Sequence, residues 1–177
     1  MDATEENKVL WLASWYPNRE DRSDGDFIQR HARAVALFYQ VHVIYVMKAK
    51  KGSRGDEREI NVEGNLTEEI IYYSPFRTGI RPLDRFLSQR KFNKCYRKAI
   101  TAYITEKGKP PLVHVHVAMK AGLAAIWAKK KWDIHMRLPP MALHSQYGAI
   151  LATVSIKGTP FSHIHPRMVL PYIKGMV

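Results

Sequence analysis

The beginning of the chain places the strongest constraint on its fold. Residues 9–13 form a short apolar run, residues 18–25 are polar and end in glycine, and a second apolar run spans 41–46. Short apolar runs bounded by turn residues favour strands that are buried on both faces. Pro17 ends the first run because proline has no N–H to donate to a sheet ladder. A strand, a glycine loop, a helix and a second strand predict a βαβ unit with a right-handed crossover.

The segment between these two strands carries the first candidate site. We predict that Asp26 is the N-cap of a helix that runs to Tyr39, with Ile28, Ala32, Val35 and Tyr39 on one helical face. Gly25 allows the backbone to approach a ligand closely, and the amino end of the helix favours an anion. The loop is therefore a candidate phosphate or substrate contact, although many strand-to-helix turns contain glycine for structural reasons alone. Its spacing matches neither the Walker loop nor the dinucleotide-binding fingerprint.

The alternation of strands and helices continues as far as residue 132. Residues 68–75 and 112–117 predict strands, whereas apolar residues recur at helical spacing over 83–104 and 120–132. In the first of these two helices the apolar face is predicted to begin with Leu83 and Phe86. Residues 48–63 are rich in charge and glycine and predict a surface loop. This alternation predicts one α/β domain built on a parallel sheet, and 177 residues with 46% apolar side chains are enough for its core.

The composition indicates a chain kept in a reducing compartment. Cys95 is the single cysteine, so no internal disulfide can form. The acidic first residues differ from a signal peptide, and no apolar run approaches the roughly 18 residues of a membrane span. We therefore expect a cytoplasmic protein. The formal net charge of +12 predicts attraction to an anionic partner, which could be a phosphate ligand, nucleic acid or an acidic membrane surface.

Much of this positive charge lies on the long helix predicted near the middle of the chain. Residues 81–109 contain nine Lys or Arg residues and two acidic ones, with aromatic residues between them. Such a face suits peripheral contact with the inner face of an anionic membrane, and this contact should fade as salt screens it. The residues expected to make it are Arg90, Lys91, Lys94 and Lys98. The alternative is an ordinary solvated helix face, and no recognition motif for nucleic acid accompanies it.

Two histidines in the strand at 112–117 form the second candidate site. His114 and His116 alternate with valines, so they point to the same face of the sheet. They lie near the carboxyl end of a parallel strand, where α/β folds bind ligands. The alternative is a pair of hydrogen-bonded core histidines. A metal site is not predicted, because no third ligand is nearby in the sequence, and no residue is predicted to be catalytic.

Residues 133–177 differ in composition from the rest of the chain. They hold one acidic residue, whereas the first 132 residues hold fifteen, and they hold five of the ten prolines and four of the eight histidines. No segment keeps a helical period for three turns, and an extended segment is predicted at 149–156. We therefore predict an irregular tail in which the next strand of the sheet is missing.

Three blocks near the start resemble the amino-terminal domain of bacterial family 4 glycosyltransferases. They are residues 9–18 (VLWLASWYPN), 25–35 (GDFIQRHARAV) and 41–46 (VHVIYV). Residues 112–117 and 121–125 are similar to that family's fourth strand and the helix after it, so the resemblance covers roughly 9–132. It implies a Rossmann-like sheet that forms one lobe of a GT-B fold, with a domain at 1–132 and an atypical tail at 133–177.

The resemblance also implies an activity. Family members move a sugar from a nucleoside diphosphate sugar to an acceptor hydroxyl, with retention at the anomeric carbon. For this chain it implies the acceptor-side half of such an enzyme, acting on a cell-envelope polysaccharide or a lipid-linked acceptor, with no metal cofactor. An alternative hypothesis, from a different functional class, is that the chain is a non-catalytic basic α/β module that binds phosphate-rich ligands or an anionic membrane.

Individual residues take their roles from the same resemblance. Gly25 and Asp26 match the loop that approaches the donor phosphate and sugar. Arg30 and His31 match the first helix, facing the cleft or supporting it. His116 matches the acceptor side of the cleft.

The resemblance ends after Trp132. The family continues roughly as Pro-Tyr-Val-Val-Thr-x-His, whereas residues 134–142 read IHMRLPPMA. The donor lobe of the family has no counterpart in the sequence, so we expect that this chain alone transfers no sugar. The codons permitted for residues 132–141 allow a neighbouring frame to read GYPYAVTAH, which restores the family's strand and its histidine. We therefore predict that the reading frame shifts near Trp132.

Overall fold

The computed structural model describes residues 7–50, 56–116 and 118–137. Six strands and three helices form in these ranges. They are β1 (Lys8–Ala13), α1 (Asp26–Ala36), β2 (Gln40–Lys48), β3 (Glu57–Glu63), β4 (Leu66–Tyr73), α2 (Arg81–Lys107), β5 (Leu112–His116), α3 (Ala118–Trp132) and β6 (Met136–Arg137). Helix α1 ends three residues before the predicted end at Tyr39.

All six strands join one sheet in the order β3-β4-β2-β1-β5-β6. Strand β1 pairs in parallel with β2 on one side and with β5 on the other, so it lies inside the sheet, as its apolar sequence predicted. Strands β4 and β6 continue the parallel pairing, and β3 pairs antiparallel with β4. The predicted α/β fold with a mainly parallel sheet flanked by helices is therefore confirmed, and it is consistent with a Rossmann-like domain.

The sheet buries apolar side chains on both of its faces. Leu10 and Leu12 of β1 pack against α2 and α3 on one face. Trp11 points to the other face and belongs to the cluster that contains Ile28 and Ala32 of α1. Each fully buried Leu or Ile contributes about 1.5–3 kcal/mol to folding. Because β1 contributes to both clusters, it connects the two halves of the core.

The prediction of a surface loop over residues 48–63 is wrong for its second half. Glu57–Glu63 forms β3, and a tight turn at Gly64 and Asn65 leads into β4. Gly64 has a φ of 57°, a conformation that glycine adopts without steric cost. Strand β3 is mostly exposed at the edge of the sheet. Its charged side chains remain in water, so the strand gives no hydrophobic signal in the sequence.

Helix α2 spans the predicted range 83–104 and extends beyond it at both ends. It carries a proline in its first turn and ends at Gly108, which has a φ of 82°. The prediction that Leu83 and Phe86 belong to its packed face is wrong, because they are 40% and 57% exposed. The buried face of α2 begins only at Phe92.

A short strand follows α3, so the prediction that the next strand is missing is wrong. Strand β6 pairs in parallel with β5, and Arg137 lies opposite His114. The N–H of Val113 also donates to the carbonyl of His135 at 2.9 Å. The edge of β5 offers backbone donors and acceptors, which an extended segment can pair with through its main chain alone. The extended segment predicted at 149–156, and the rest of the tail after residue 137, lie outside the described residues.

Candidate functional site

The candidate site lies where the carboxyl ends of β1 and β5 meet the amino ends of α1 and α3. The N–H of Ser14, directly after β1, donates to the carbonyl of His116 at 3.1 Å. The hydroxyl oxygen of Ser14 accepts from the N–H groups of Lys120 and Ala121 at 3.2 and 3.1 Å. Two of the amino-terminal N–H groups of α3 are satisfied in this way. Ser14 thus fixes the positions of β1, β5 and α3 relative to one another.

Gly25 makes a close approach, but the approach is to the chain's own backbone. A Cβ at this position would lie 2.8 Å from the carbonyl carbon of Trp15 and 2.9 Å from the nitrogen of Tyr16. The φ of Gly25 is 66°, which side chains other than glycine rarely adopt. Glycine therefore lets the start of α1 pack directly against the end of β1. A ligand at this edge would meet a loop that is already closely packed.

The prediction that Asp26 caps α1 is wrong. The N-cap residue is Gly25, and no side chain donates or accepts a capping hydrogen bond there. Asp26 is the first residue of the helix, and its carboxylate forms an ion pair with Arg30 at 3.1 Å, one turn later. The left-handed conformation needed before the helix favours glycine over aspartate at the cap. Both Asp26 and Arg30 are more than half exposed, so their pairing contributes little to stability.

The loop between β1 and α1 is held by a side chain that the sequence analysis missed. Asn18 is buried, and its Oδ1 accepts from the N–H groups of Glu20 and Asp21 at 2.9 and 3.0 Å. Its amide nitrogen donates to the carbonyl of Tyr16 at 2.9 Å. Asparagine readily folds the backbone back on itself in this way. An asparagine directly after the Pro17 breaker was the available signal.

A buried carboxylate beneath the site was also missed. Glu68 of β4 accepts from the hydroxyl of Tyr16 at 2.6 Å, from Gln29 at 2.8 Å and from Asn61 at 3.0 Å. Burial, followed by the contact with Glu68, raises the pKa of the Tyr16 hydroxyl, so this hydroxyl stays protonated and donates. The network joins the β1–α1 loop, α1 and β3 to one charged group. A carboxylate satisfied by three donors is a structural anchor.

The two histidines of β5 point to the same face, as predicted. The rings of His114 and His116 stack with centroids 4.2 Å apart and an angle of 27° between their planes. The ring of Trp11 lies 4.0 Å from His116 and 5.3 Å from His114. The sheet register produces this cluster, because Trp11 of β1 lies opposite His114 of β5. We refer to these three side chains as the Trp–His cluster.

The environment of the Trp–His cluster keeps both imidazoles neutral. Burial, together with the nearby charges of Arg137 and His31, lowers the pKa of His114 from 6.5 to about 4. Burial, together with His114 and His31, lowers the pKa of His116 from 6.5 to about 3. His31 of α1 is thus close enough to act on both rings, and the predicted residues His31 and His116 belong to one neighbourhood.

Two polar atoms of the cluster have no hydrogen-bond partner within the described part of the chain. They are Nε2 of His116 and Nε1 of Trp11. Both side chains are more than 90% buried. A buried polar atom without a partner costs about 1–3 kcal/mol. A ligand group that reached this edge would find the indole N–H of Trp11 and one imidazole nitrogen of His116 without partners among the described residues. The alternative prediction, a hydrogen-bonded histidine pair, therefore does not hold for Nε2 of His116 among these residues.

Within residues 7–50, 56–116 and 118–137, no group of three or more His, Cys, Asp or Glu side chains is placed to hold a metal ion. No helix in those ranges is long and apolar enough to cross a membrane.

The structure brings the four predicted basic residues of α2 to one open groove. The groove has a volume of about 1240 Å³ and also borders Phe76, Arg97 and Trp127. Its basic lining residues from the prediction are Arg90, Lys91, Lys94 and Lys98. We call this surface the basic groove. It lies on the face of the sheet that α2 and α3 cover, away from the Trp–His cluster.

The four basic residues differ in their partners. Lys91 forms an ion pair with Asp56 at 2.7 Å and donates to the carbonyl of Ser74 at 2.9 Å, so its charge is largely compensated. The guanidinium of Arg90 lies 5.6 Å from the ring centre of Phe86. Lys94 and Lys98 are exposed. The charge offered by the basic groove therefore comes mainly from Arg90, Lys94, Lys98 and Arg97, whose guanidinium lies 5.1 Å from the ring centre of Trp127.

Comparison with known proteins supplies no family for the chain. It matches no protein-family profile and no curated protein.

Proposed function

We propose that the chain is the acceptor-side half of a retaining family 4 glycosyltransferase, one lobe of a GT-B fold. The observation that carries the proposal is the convergence of three features at the carboxyl edge of the sheet. They are the tightly packed Gly25 loop, the amino end of α1 and the neutral imidazole of His116. Ligands of open α/β sheets bind at this edge. The acceptor would be a cell-envelope polysaccharide or a lipid-linked sugar, and the donor a nucleoside diphosphate sugar.

The chemistry of this edge suits binding and orientation. A neutral imidazole can accept a hydrogen bond from a sugar hydroxyl, and Nε2 of His116 has no other partner among the described residues. The partial positive charge at the amino end of α1 favours a phosphate. Arg30, although paired with Asp26, adds an exposed guanidinium near that helix end. No described residue is assigned to bond breaking, which the proposal leaves to the donor lobe of the family.

The first test measures sugar transfer. The purified chain is incubated with UDP-glucose or GDP-mannose and a lipid-linked acceptor, alone and with a donor lobe supplied as a separate chain. We expect no transfer by the chain alone, and transfer when the donor lobe is present. His116→Phe keeps an aromatic ring but removes the accepting nitrogen, so it should raise the KM for the acceptor. His135→Phe, which changes an exposed histidine, should not. Turnover by the pure chain alone, or no transfer with any donor lobe, would contradict the proposal.

A second candidate function is favoured by the basic groove. In this case the chain is a non-catalytic α/β module that binds phosphate-rich ligands or an anionic membrane. Two of the uncompensated basic residues, Lys94 and Lys98, lie on one side of α2, and the exposed Leu83 and Phe86 belong to the same helix. Apolar residues beside lysines suit the interface of an anionic bilayer.

Vesicle binding separates this candidate from an ordinary solvated face. Each basic residue near an anionic surface contributes about 1 kcal/mol, so Lys94→Ala with Lys98→Ala should weaken binding about 30-fold. Lys109→Ala with Lys130→Ala removes the same charge outside the groove and serves as the control. Wild-type binding should fade with added salt. Equal binding to neutral vesicles, or equal losses in both double variants, would exclude the groove as a membrane contact.

The tail carries a separate proposal about the coding sequence. We infer that the reading frame shifts near Trp132, so that the family's next strand and its histidine are encoded in the neighbouring frame. Met136 and Arg137 pair in parallel with β5, where a further strand of the family would run. The nucleotide sequence across codon 132 decides the matter. A neighbouring frame without Pro-Tyr-x-Val-Thr-x-His, and without a downstream donor domain, would show the inference to be wrong.

A further inference from the structure

A second pocket lies at the opposite edge of the sheet from the candidate site. It has a volume of about 220 Å³ and forms where the amino ends of β2 and β4 meet the last turn of α2. Its polar lining comes mainly from Lys8, His42, Asn65, Thr67 and Lys107. This volume is below the ~300–1,000 Å³ of pockets for drug-sized ligands, so it fits a small group.

We propose that this pocket binds a phosphate group. The proposal does not depend on the function of the carboxyl edge. We call the pocket the amino-edge pocket, and its ligand class is a small dianionic oxyanion, either inorganic phosphate or a small phosphomonoester.

The charge of the lining is the first argument. Lys8 and Lys107 both border the pocket, and none of the described residues that line it is acidic. The ammonium of Lys8 donates to the carbonyl of Lys107 at 3.3 Å. The ammonium of Lys107 lies 3.5 Å from Nδ1 of His42. Each ammonium has three N–H donors. Each therefore keeps two donors that can point to an anion in the pocket.

The orientation of His42 is the second argument. Its Nε2 lies 3.0 Å from a carboxylate oxygen of Glu69, and the ring packs edge-on against Tyr103. A carboxylate accepts only, so Nε2 carries the proton and donates. Nδ1 then faces Lys107 and the pocket. His42 is 7% exposed, so this orientation is fixed by packing on every side.

The carboxylate of Glu69, which contacts His42, is already paired with two donors. Glu69 is 2% exposed and also accepts from Nε of Arg58 at 2.8 Å. Burial acts to raise the pKa of the Glu69 carboxyl, but the hydrogen bonds from His42 and Arg58 outweigh it, and the pKa is lowered. The carboxylate is thus ionised and paired on the far side of the ring. It does not neutralise the two lysines that face the pocket.

The lysines also have a purely structural explanation. Lys107 lies in the last turn of α2, where a cation is favoured by the helix dipole, and Lys8 donates to a carbonyl at that same helix end. This explanation predicts that their removal lowers stability by the same amount with or without phosphate. The binding proposal predicts that phosphate stabilises the wild type and does not stabilise the variants.

The experiment follows the ring signals of His42 by NMR while inorganic phosphate is added to the full chain at constant ionic strength. His42→Gln identifies the signals. We expect a saturable shift of the His42 signals. In Lys107→Ala the dissociation constant should rise about 10- to 100-fold, the value of one hydrogen bond to a charged group. Lys109→Ala removes the same charge two residues away, outside the pocket, and should leave the dissociation constant within about twofold of wild type.

A second variant, a control double variant and a second ligand complete the experiment. Lys8→Ala repeats the measurement in case Lys107→Ala fails to fold. Lys94→Ala with Lys98→Ala removes charge from the basic groove and should leave the His42 response intact. Glucose 6-phosphate in place of inorganic phosphate distinguishes a phosphomonoester from the free ion as the preferred ligand. No saturable shift at His42 with either probe, or equal affinities in Lys107→Ala and Lys109→Ala, would overturn the proposal.

Discussion

Acid should destabilise this protein through the two buried histidines of β5. The pKa values of His114 and His116 are lowered by burial from 6.5 to about 4 and about 3. In the unfolded chain both imidazoles have their ordinary pKa. As the pH falls below 6.5, the unfolded state therefore binds protons that the folded state does not bind. The stability that these groups contribute is fully present above pH 6.5. It is lost progressively as the pH falls toward the folded-state values.

The size of the loss follows from linkage. At pH 5 the folded imidazoles are still almost wholly neutral, whereas about 97% of the unfolded ones are protonated. Each histidine then removes about 2 kcal/mol between pH 7 and pH 5, and the pair removes about 4 kcal/mol. This result depends on the unfolded-state pKa and hardly on the folded-state values, because both lie a unit or more below pH 5. A loss of about 4 kcal/mol lowers the Tm of a chain of this size by about 8–16 °C.

The assay is urea unfolding at pH 7, 6 and 5, followed by tryptophan fluorescence at constant ionic strength. His114→Phe and His116→Phe remove one titrating ring each but keep an aromatic side chain in the cluster. Each single variant should lose about half as much free energy of unfolding as the wild type over this range, and the double variant almost none. His135→Phe changes an exposed histidine and should keep the wild-type slope.

Two outcomes would refute the reasoning. One is a wild-type loss below about 1 kcal/mol between pH 7 and pH 5, a quarter of the value from linkage. The other is a double variant as sensitive to acid as the wild type. Glu69 responds in a lower pH range: burial acts to raise the pKa of its carboxyl, but the hydrogen bonds from His42 and Arg58 outweigh burial, so the pKa is lowered. Its contribution is therefore lost mainly below pH 5.

Two further changes test the packing at the carboxyl edge by urea unfolding, and Gly64→Ala, in the turn between β3 and β4, serves as a control. Gly25→Ala places a Cβ 2.8 Å from backbone and should cost about 2–4 kcal/mol, whereas Gly64→Ala has a similar φ with nothing within 4 Å and should cost about 1 kcal/mol. Similar losses for both would mean that strain alone, not the close approach, requires Gly25. Tyr16→Phe removes one of three donors to the buried carboxylate of Glu68 and should cost about 1–3 kcal/mol, with no loss if water replaces the hydroxyl.

The sequence predicted the elements whose side chains repeat with a clear period. The apolar runs that became β1, β2 and β5 indicated buried strands, and the common face of His114 and His116 followed from the two-residue period of a strand. Strand β3 was missed because its exposed, charged residues carry no such signal. It becomes a strand only because it pairs with β4, and this pairing is a tertiary contact that the local sequence does not reveal.

The site was harder to predict than the fold because its contacts cross long distances in the chain. Trp11 meets His116 only because β1 and β5 pair with one particular register. The contact between Tyr16 and Glu68 joins residues 52 positions apart. The role of Gly25 was predicted as a close approach, but the partner of that approach, the end of β1, could not be read from its neighbours in sequence.

The exposed strand β3 has a consequence for how molecules of this protein behave beside one another. Its outer edge bears Glu57, Glu59 and Glu63 along a single short strand. Charged side chains on an edge strand disfavour pairing with a second copy, and here Glu57 and Glu59 also pair with Arg19. Addition of a further strand beside β3 is therefore disfavoured by the side chains that β3 itself carries.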